Sequence, residues 1–164
     1  MKCNYVNYLE DHPNLEEALL GGAKIHIFRS GGGLRVVRVN GKDGKLISYG
    51  EHPYLSVALS HAENDFGLSY DEQYSNGQAK HEHYLSGAYP MPFDPIDIYV
   101  HGGNTLDIFY SKKWENIICT TPTQNELNRE NEILWGASKT LMGAISLCLV
   151  CFKFEDKESF MKRV

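Results

Sequence analysis

Apolar residues recur along this chain at two different periods, and the alternation between them outlines the fold. After His12-Pro13, Leu15, Ala18 and Leu19 fall at helical spacing; after His52-Pro53, Leu55, Leu59, Ala62 and Phe66 do the same. Both stretches begin with the phrase H-P-x-L-x-x-A-L. Proline suits the first helical position, where its missing N–H is not needed, so each phrase predicts a helix start. Glu16 and Glu17 favour the first helix dipole, and Gly21-Gly22 and Gly67 are placed as stops.

Between these helices the period falls to two. Lys24–Phe28 carries Ile25 and Ile27 on one face; Leu34–Val39 and Leu46–Tyr49 follow. Ser30-Gly31-Gly32-Gly33 and Asn40-Gly41-Lys42-Asp43-Gly44 separate the three segments as hairpin turns. A similar meander is expected later. Ile96–Val100 alternates, His101-Gly102-Gly103-Asn104 turns, and Leu106–Tyr110 and Trp114–Cys119 follow. Thr123 and Glu126 have capping-box spacing, and Leu127, Leu134, Leu141 and Cys148 then recur every seven residues, which predicts one long helix.

The expected fold is therefore α+β: two consecutive β-β-β-α units built as antiparallel meanders, an extra N-terminal helix, and a long C-terminal helix packed on the sheet. A chain of 164 residues suits a single domain over 1–164. The first unit occupies 12–66, a Tyr/Pro/Gly-rich linker 67–95, and the second unit 96–152. The apolar run Ile133–Phe152 is interrupted by Gly136, Ser138, Lys139, Thr140 and Gly143, so a buried core helix is expected, with no membrane partner. The N-terminal residues lack the apolar core of a signal peptide, and Cys3, Cys119, Cys148 and Cys151 form no disulfide framework. A cytoplasmic location is expected.

Charge is unevenly spread. Residues 67–111 hold Lys80 alone against Asp71, Glu72, Glu82, Asp94, Asp97 and Asp107. Such a patch repels a phosphate backbone, so no nucleic acid is expected, and a basic protein surface is the better partner. The α-β-β-β-α order of 12–66 is that of double-stranded-RNA-binding domains, but Glu51, His52, Pro53 and Tyr54 stand where those domains need basic residues.

Four groups of residues are candidates for chemistry. Tyr70, Tyr74, Tyr84, Tyr89 and Phe93 give the linker a large amphipathic contact surface. His81 and His83 share one face of any strand there, and with His101 they form a candidate site for a divalent metal, zinc by default. His12 and His52, if their helices start side by side, would suit an anion. Cys148 and Cys151 form a C-x-x-C deep in an apolar run and read as core thiols. No reaction signature is present, and the expected function is a small binding protein that uses the acidic, Tyr-rich linker and is not an enzyme. The alternatives are a metal-binding protein or metal-dependent hydrolase at His81, His83 and His101, and a structural homodimer.

Overall fold

A computed structural model describes residues 12–65, 94–122, 131–150 and 154–164. The α+β expectation holds. Helix α1 (Pro13–Leu20) leads into strands β1 (Lys24–Arg29), β2 (Arg35–Asn40) and β3 (Leu46–His52), then helix α2 (Leu55–Asn64). Helix α3 (Pro95–His101) leads into β4 (Leu106–Ser111), β5 (Asn116–Pro122) and β6 (Glu132–Ser138), then α4 (Leu141–Val150). A short strand β7 (Phe154–Asp156) and helix α5 (Lys157–Arg163) follow. All seven strands form one antiparallel sheet in the order β3-β2-β1-β4-β5-β6-β7.

Alternation along the strands separates two faces. One face carries Ile25, Ile27, Val37, Val39, Leu106, Ile108, Ile117 and Cys119, which are buried beneath the apolar sides of α1, α2, α3 and α4. On the other face Ile118, Ile133 and Trp135 pack against Phe160 of α5, with Trp114 alongside. Arg163 lies over the rings of Trp114 and Trp135 and grips Glu155 with both forks of its guanidinium, which fastens α5 over the β5–β6–β7 end.

Two elements differ from the sequence reading. Ile96–Val100 is the helix α3, not a strand. Its apparent alternation is fortuitous: Ile96 and Val100, four apart, are buried, while Ile98 between them is 46% exposed. Asp94 caps the helix through bonds from the Ile96 and Asp97 N–H groups, and Pro95 opens it. The expected long C-terminal helix is a strand followed by a helix. Leu134 belongs to β6 and faces the same core as Leu141 and Cys148 of α4, so a strand and a helix together imitate the seven-residue spacing. The Thr140 hydroxyl accepts the Gly143 N–H and starts α4 anew. Residues 123–130, with the expected capping box and Leu127, lie outside the described residues.

With α3 restored, the two units have the same plan, α-β-β-β-α, and the same punctuation. Leu15, Glu16, Leu19, Gly21-Gly22, Ile25 and Ile27 recur in place as Ile96, Asp97, Val100, Gly102-Gly103, Leu106 and Ile108. The second glycine of each pair has positive φ, 101° at Gly22 and 98° at Gly103, as a helix stop requires. Gly50, Leu55, Ala58 and Ala62 likewise recur as Gly136, Leu141, Ala144 and Cys148. The units meet where β1 pairs with β4, related by an approximate twofold axis. Each lends the other a carboxylate: Asp97 of α3 accepts the Leu55 N–H at the start of α2 (2.9 Å), and Glu16 of α1 accepts the Leu141 N–H at the start of α4 (2.7 Å).

Candidate functional site

The four candidate groups fare differently. Tyr70, Tyr74, Tyr84, Tyr89 and Phe93, together with His81 and His83, lie outside the described residues. His101 closes α3. Its Nδ1 is buried and has no hydrogen-bond partner among the described residues, and burial, followed by the nearby Arg35 and Arg29 charges, lowers its pKa while Asp97 opposes the shift. Among the described residues no three His, Cys, Asp or Glu side chains converge as a metal would require.

His12 and His52 are not brought together. Glu63, at the end of α2, accepts the N–H groups of Asn14 (2.7 Å) and Leu15 (2.9 Å), so α1 begins where α2 finishes. His52 stands at the other end of α2, which is about 15 Å long at ten residues. Both helix starts already hold a carboxylate, Glu63 at α1 and Asp97 at α2. His52 Nδ1 also accepts the Tyr54 N–H (2.9 Å), which requires an unprotonated nitrogen there. Ser30–Gly33 is the hairpin turn expected of it, closed by the Gly33 N–H on the Ser30 carbonyl. Cys148 is a buried core thiol, as expected. It neighbours Cys119, whose pKa burial, and then its hydrogen bond with Cys148, push well up.

Two members of the acidic surplus, Asp94 and Asp97, are buried inside the fold, and a third, Asp107, is paired on the exposed face of the sheet. Asp97 is paired with the buried Arg35, and Asp107 with His26. Asp94 is 5% exposed; Oδ1 caps α3, and Oδ2 is buried without a partner among the described residues. Burial raises its pKa above the ordinary carboxylate value, against its two backbone hydrogen bonds, and Asp97 adds to the rise. A raised folded-state pKa contributes stability at low pH that is lost as pH rises through it. Asp94→Asn keeps the Oδ1 acceptor and removes that loss. The variant is therefore expected to unfold at higher urea concentration than the wild type at neutral pH, and the gap should close towards about pH 3.5, below the free carboxyl's pKa. An equal gap at both pH values would exclude ionisation as its cause.

The residues that sequence reasoning missed lie on the second face of the sheet. Strand register sets Tyr49, Arg38, His26, Asp107, Thr120 and Trp135 in one row across β3, β2, β1, β4, β5 and β6. His26 and Asp107 occupy matching positions in the two units and face each other at the approximate twofold axis, with Nδ1 2.7 Å from Oδ1. Beside them a cleft of about 400 Å³ opens between β1, β4 and α5. Lys24, His26, Asn40, Asp107, Thr120 and Lys157 supply its polar groups, and Phe109 and Met161 its main apolar surface. It exists because α5 covers only the β5–β6–β7 end of this face. The visible signal was the second face of β1, where Lys24, His26 and Phe28 alternate with the buried isoleucines; the pairing of β1 with β4 that completes the site is not local.

Comparison with models of protein families, with curated proteins and with solved structures finds no match to this chain.

Proposed function

We propose that this protein works by binding, and that it holds a segment of a partner protein in the cleft at the centre of the sheet. The observation that carries this reading is the composition of the cleft: convergent polar groups around an apolar surface, in an open hollow of about 400 Å³. Met161 on its rim is 46% exposed, an apolar side chain available to an incoming one. Five of the polar groups stand on β1, β2, β4 and β5, so the sheet fixes where they enter the cleft, and Lys157 enters from α5.

Panning a random peptide library displayed on phage against the full chain tests the reading. Enriched peptides are expected, and their affinity should fall about tenfold on a Phe109→Ala/Met161→Ala variant that retains the wild-type unfolding profile. No enrichment over a bare surface, or enriched peptides that bind the variant equally well, would overturn it.

A further inference from the structure

We infer that the cleft recognises an acidic side chain of the partner, an aspartate or glutamate flanked by an apolar residue; this rests on the reading of the cleft as a peptide-binding site. Asp107 brings the cleft its only carboxylate among the described residues, and that carboxylate already faces His26 Nδ1 at 2.7 Å. Lys24 and Lys157 line opposite walls, one on β1 and one at the start of α5, and neither has an ion-pair partner among the described residues. Arg38, directly across the ladder from His26, adds a third cation beside the cleft with no carboxylate partner among the described residues. The lining together with Arg38 therefore carries more basic than acidic side chains, although the whole chain carries a net charge of -5.

The twofold relation between the units sharpens this. The position that holds Lys24 in the first unit holds Thr105 in the second, and Arg38 has its counterpart in Thr120. Lys24 and Arg38 thus stand on the first unit's half of the face with neutral hydroxyls at the matching positions of the second, and Lys157 enters from α5. Hydrogen bonding fixes His26 as well: with Nδ1 turned to Asp107, Nε2 is the ring nitrogen left for a ligand. A carboxylate placed between Lys24 and Lys157 gains two charge-assisted partners, and its neighbouring apolar side chain meets Phe109 and Met161.

The test uses the peptides enriched on the full chain. Each is compared with its Glu→Gln or Asp→Asn analogue, and against a Lys24→Glu/Lys157→Glu variant, by fluorescence anisotropy. The expected result is an enriched consensus containing an acid, about tenfold weaker binding of the amide analogue, and a similar loss on the charge-reversed variant, with both differences shrinking in high salt. An enriched consensus without an acid, or amide analogues that bind equally well, would overturn the inference while leaving a peptide-binding cleft in place; failure to enrich any peptide would overturn both. Vesicles rich in phosphatidylserine and a DNA duplex serve as alternative sources of negative charge. If either binds tightly, and the charge reversal abolishes that binding while peptides fail to bind, the partner is not a peptide.

Discussion

Gly50→Ala is expected to destabilise the protein by about 3 kcal/mol, at the upper end of the cost of overpacking a well-packed core, and Gly136→Ala by a similar amount. A Cβ built on Gly50 would stand 1.9 Å from the Ala58 carbonyl oxygen and 2.8 Å from the Ala62 nitrogen. Both are backbone atoms of α2, so the strain cannot be relieved by rotating a side chain; the helix must lift off β3. That movement would also break the hydrogen bond from Ser48 Oγ to the Ala62 carbonyl. At Gly136 the corresponding obstacles are the Cys148 nitrogen at 2.2 Å and the Ala144 carbonyl oxygen at 2.5 Å, and lifting α4 would disturb the Cys148 contact with Leu134. Neither glycine has positive φ, so backbone conformation does not demand it; close approach of a helix does. Gly32→Ala is the control. Nothing lies within 4 Å of its added Cβ, and stability should stay within about 0.5 kcal/mol of wild type. Urea denaturation of the three variants checks the ranking. A Gly50→Ala protein as stable as the Gly32→Ala control would mean that α2 does not pack on β3 as described.

The same two glycines show what could be read from the sequence and what could not. The first unit was legible because its signals are local: proline at a helix start, Gly21-Gly22 at its end, turns of Gly and Asn, isoleucines at period two. The second unit uses the same grammar in altered words. Asp94-Pro95 replaces His12-Pro13 as the opening, and Gly102-Gly103 stops α3 as Gly21-Gly22 stops α1. Ile96, Ile98 and Val100 happen to alternate, which outweighed those terminal signals. At β6 and α4 the seven-residue spacing of Leu134, Leu141 and Cys148 arises because a strand and a helix that face one core can be in step. Gly136 in the middle of that apparent helix was the sign of a strand under close cover. The cleft was hidden for a different reason. His26 and Asp107 stand 81 residues apart in sequence, and only the pairing of the two units' first strands sets them face to face. Conversely, Asp94 and Asp97 counted as acidic surface in the composition, yet their positions at a helix start and in an ion pair bury them inside the fold.

Asp97→Ala is expected to cost about 3–5 kcal/mol, the range for removing one partner of a buried ion pair. Arg35 is 3% exposed and Asp97 2%. Arg35 donates through Nε to Asp97 Oδ1 and through a terminal nitrogen to the Gly33 carbonyl (2.7 Å), while Asp97 Oδ2 takes the Leu55 N–H. One carboxylate thus joins β2, α2 and α3, and removing it leaves a buried guanidinium uncompensated and the first turn of α2 with an unsatisfied donor. Arg35→Met separates the two consequences. Combined with Asp97→Ala it removes the orphaned charge, so the double variant should recover most of the loss and remain about 1 kcal/mol below wild type, the usual worth of a lost helix cap. Arg35→Met alone leaves Asp97 charged and buried with a single backbone partner, and is expected to be less stable than the double variant. A thermodynamic cycle over the four proteins therefore gives a coupling well above the few tenths of a kcal/mol of independent sites. Additive costs would show that Asp97 acts as a cap for α2 alone. The twofold-related Glu16 offers an internal comparison: it caps α4 in the same manner, but its counterpart to the Arg35 position is Ile117, so no cation is left behind when it is removed. Glu16→Ala should accordingly cost only about 1 kcal/mol. The difference between two equivalent carboxylates then measures what the buried arginine adds to the first unit, and places the firmest connection between the units at the turn end of the β1–β2 hairpin.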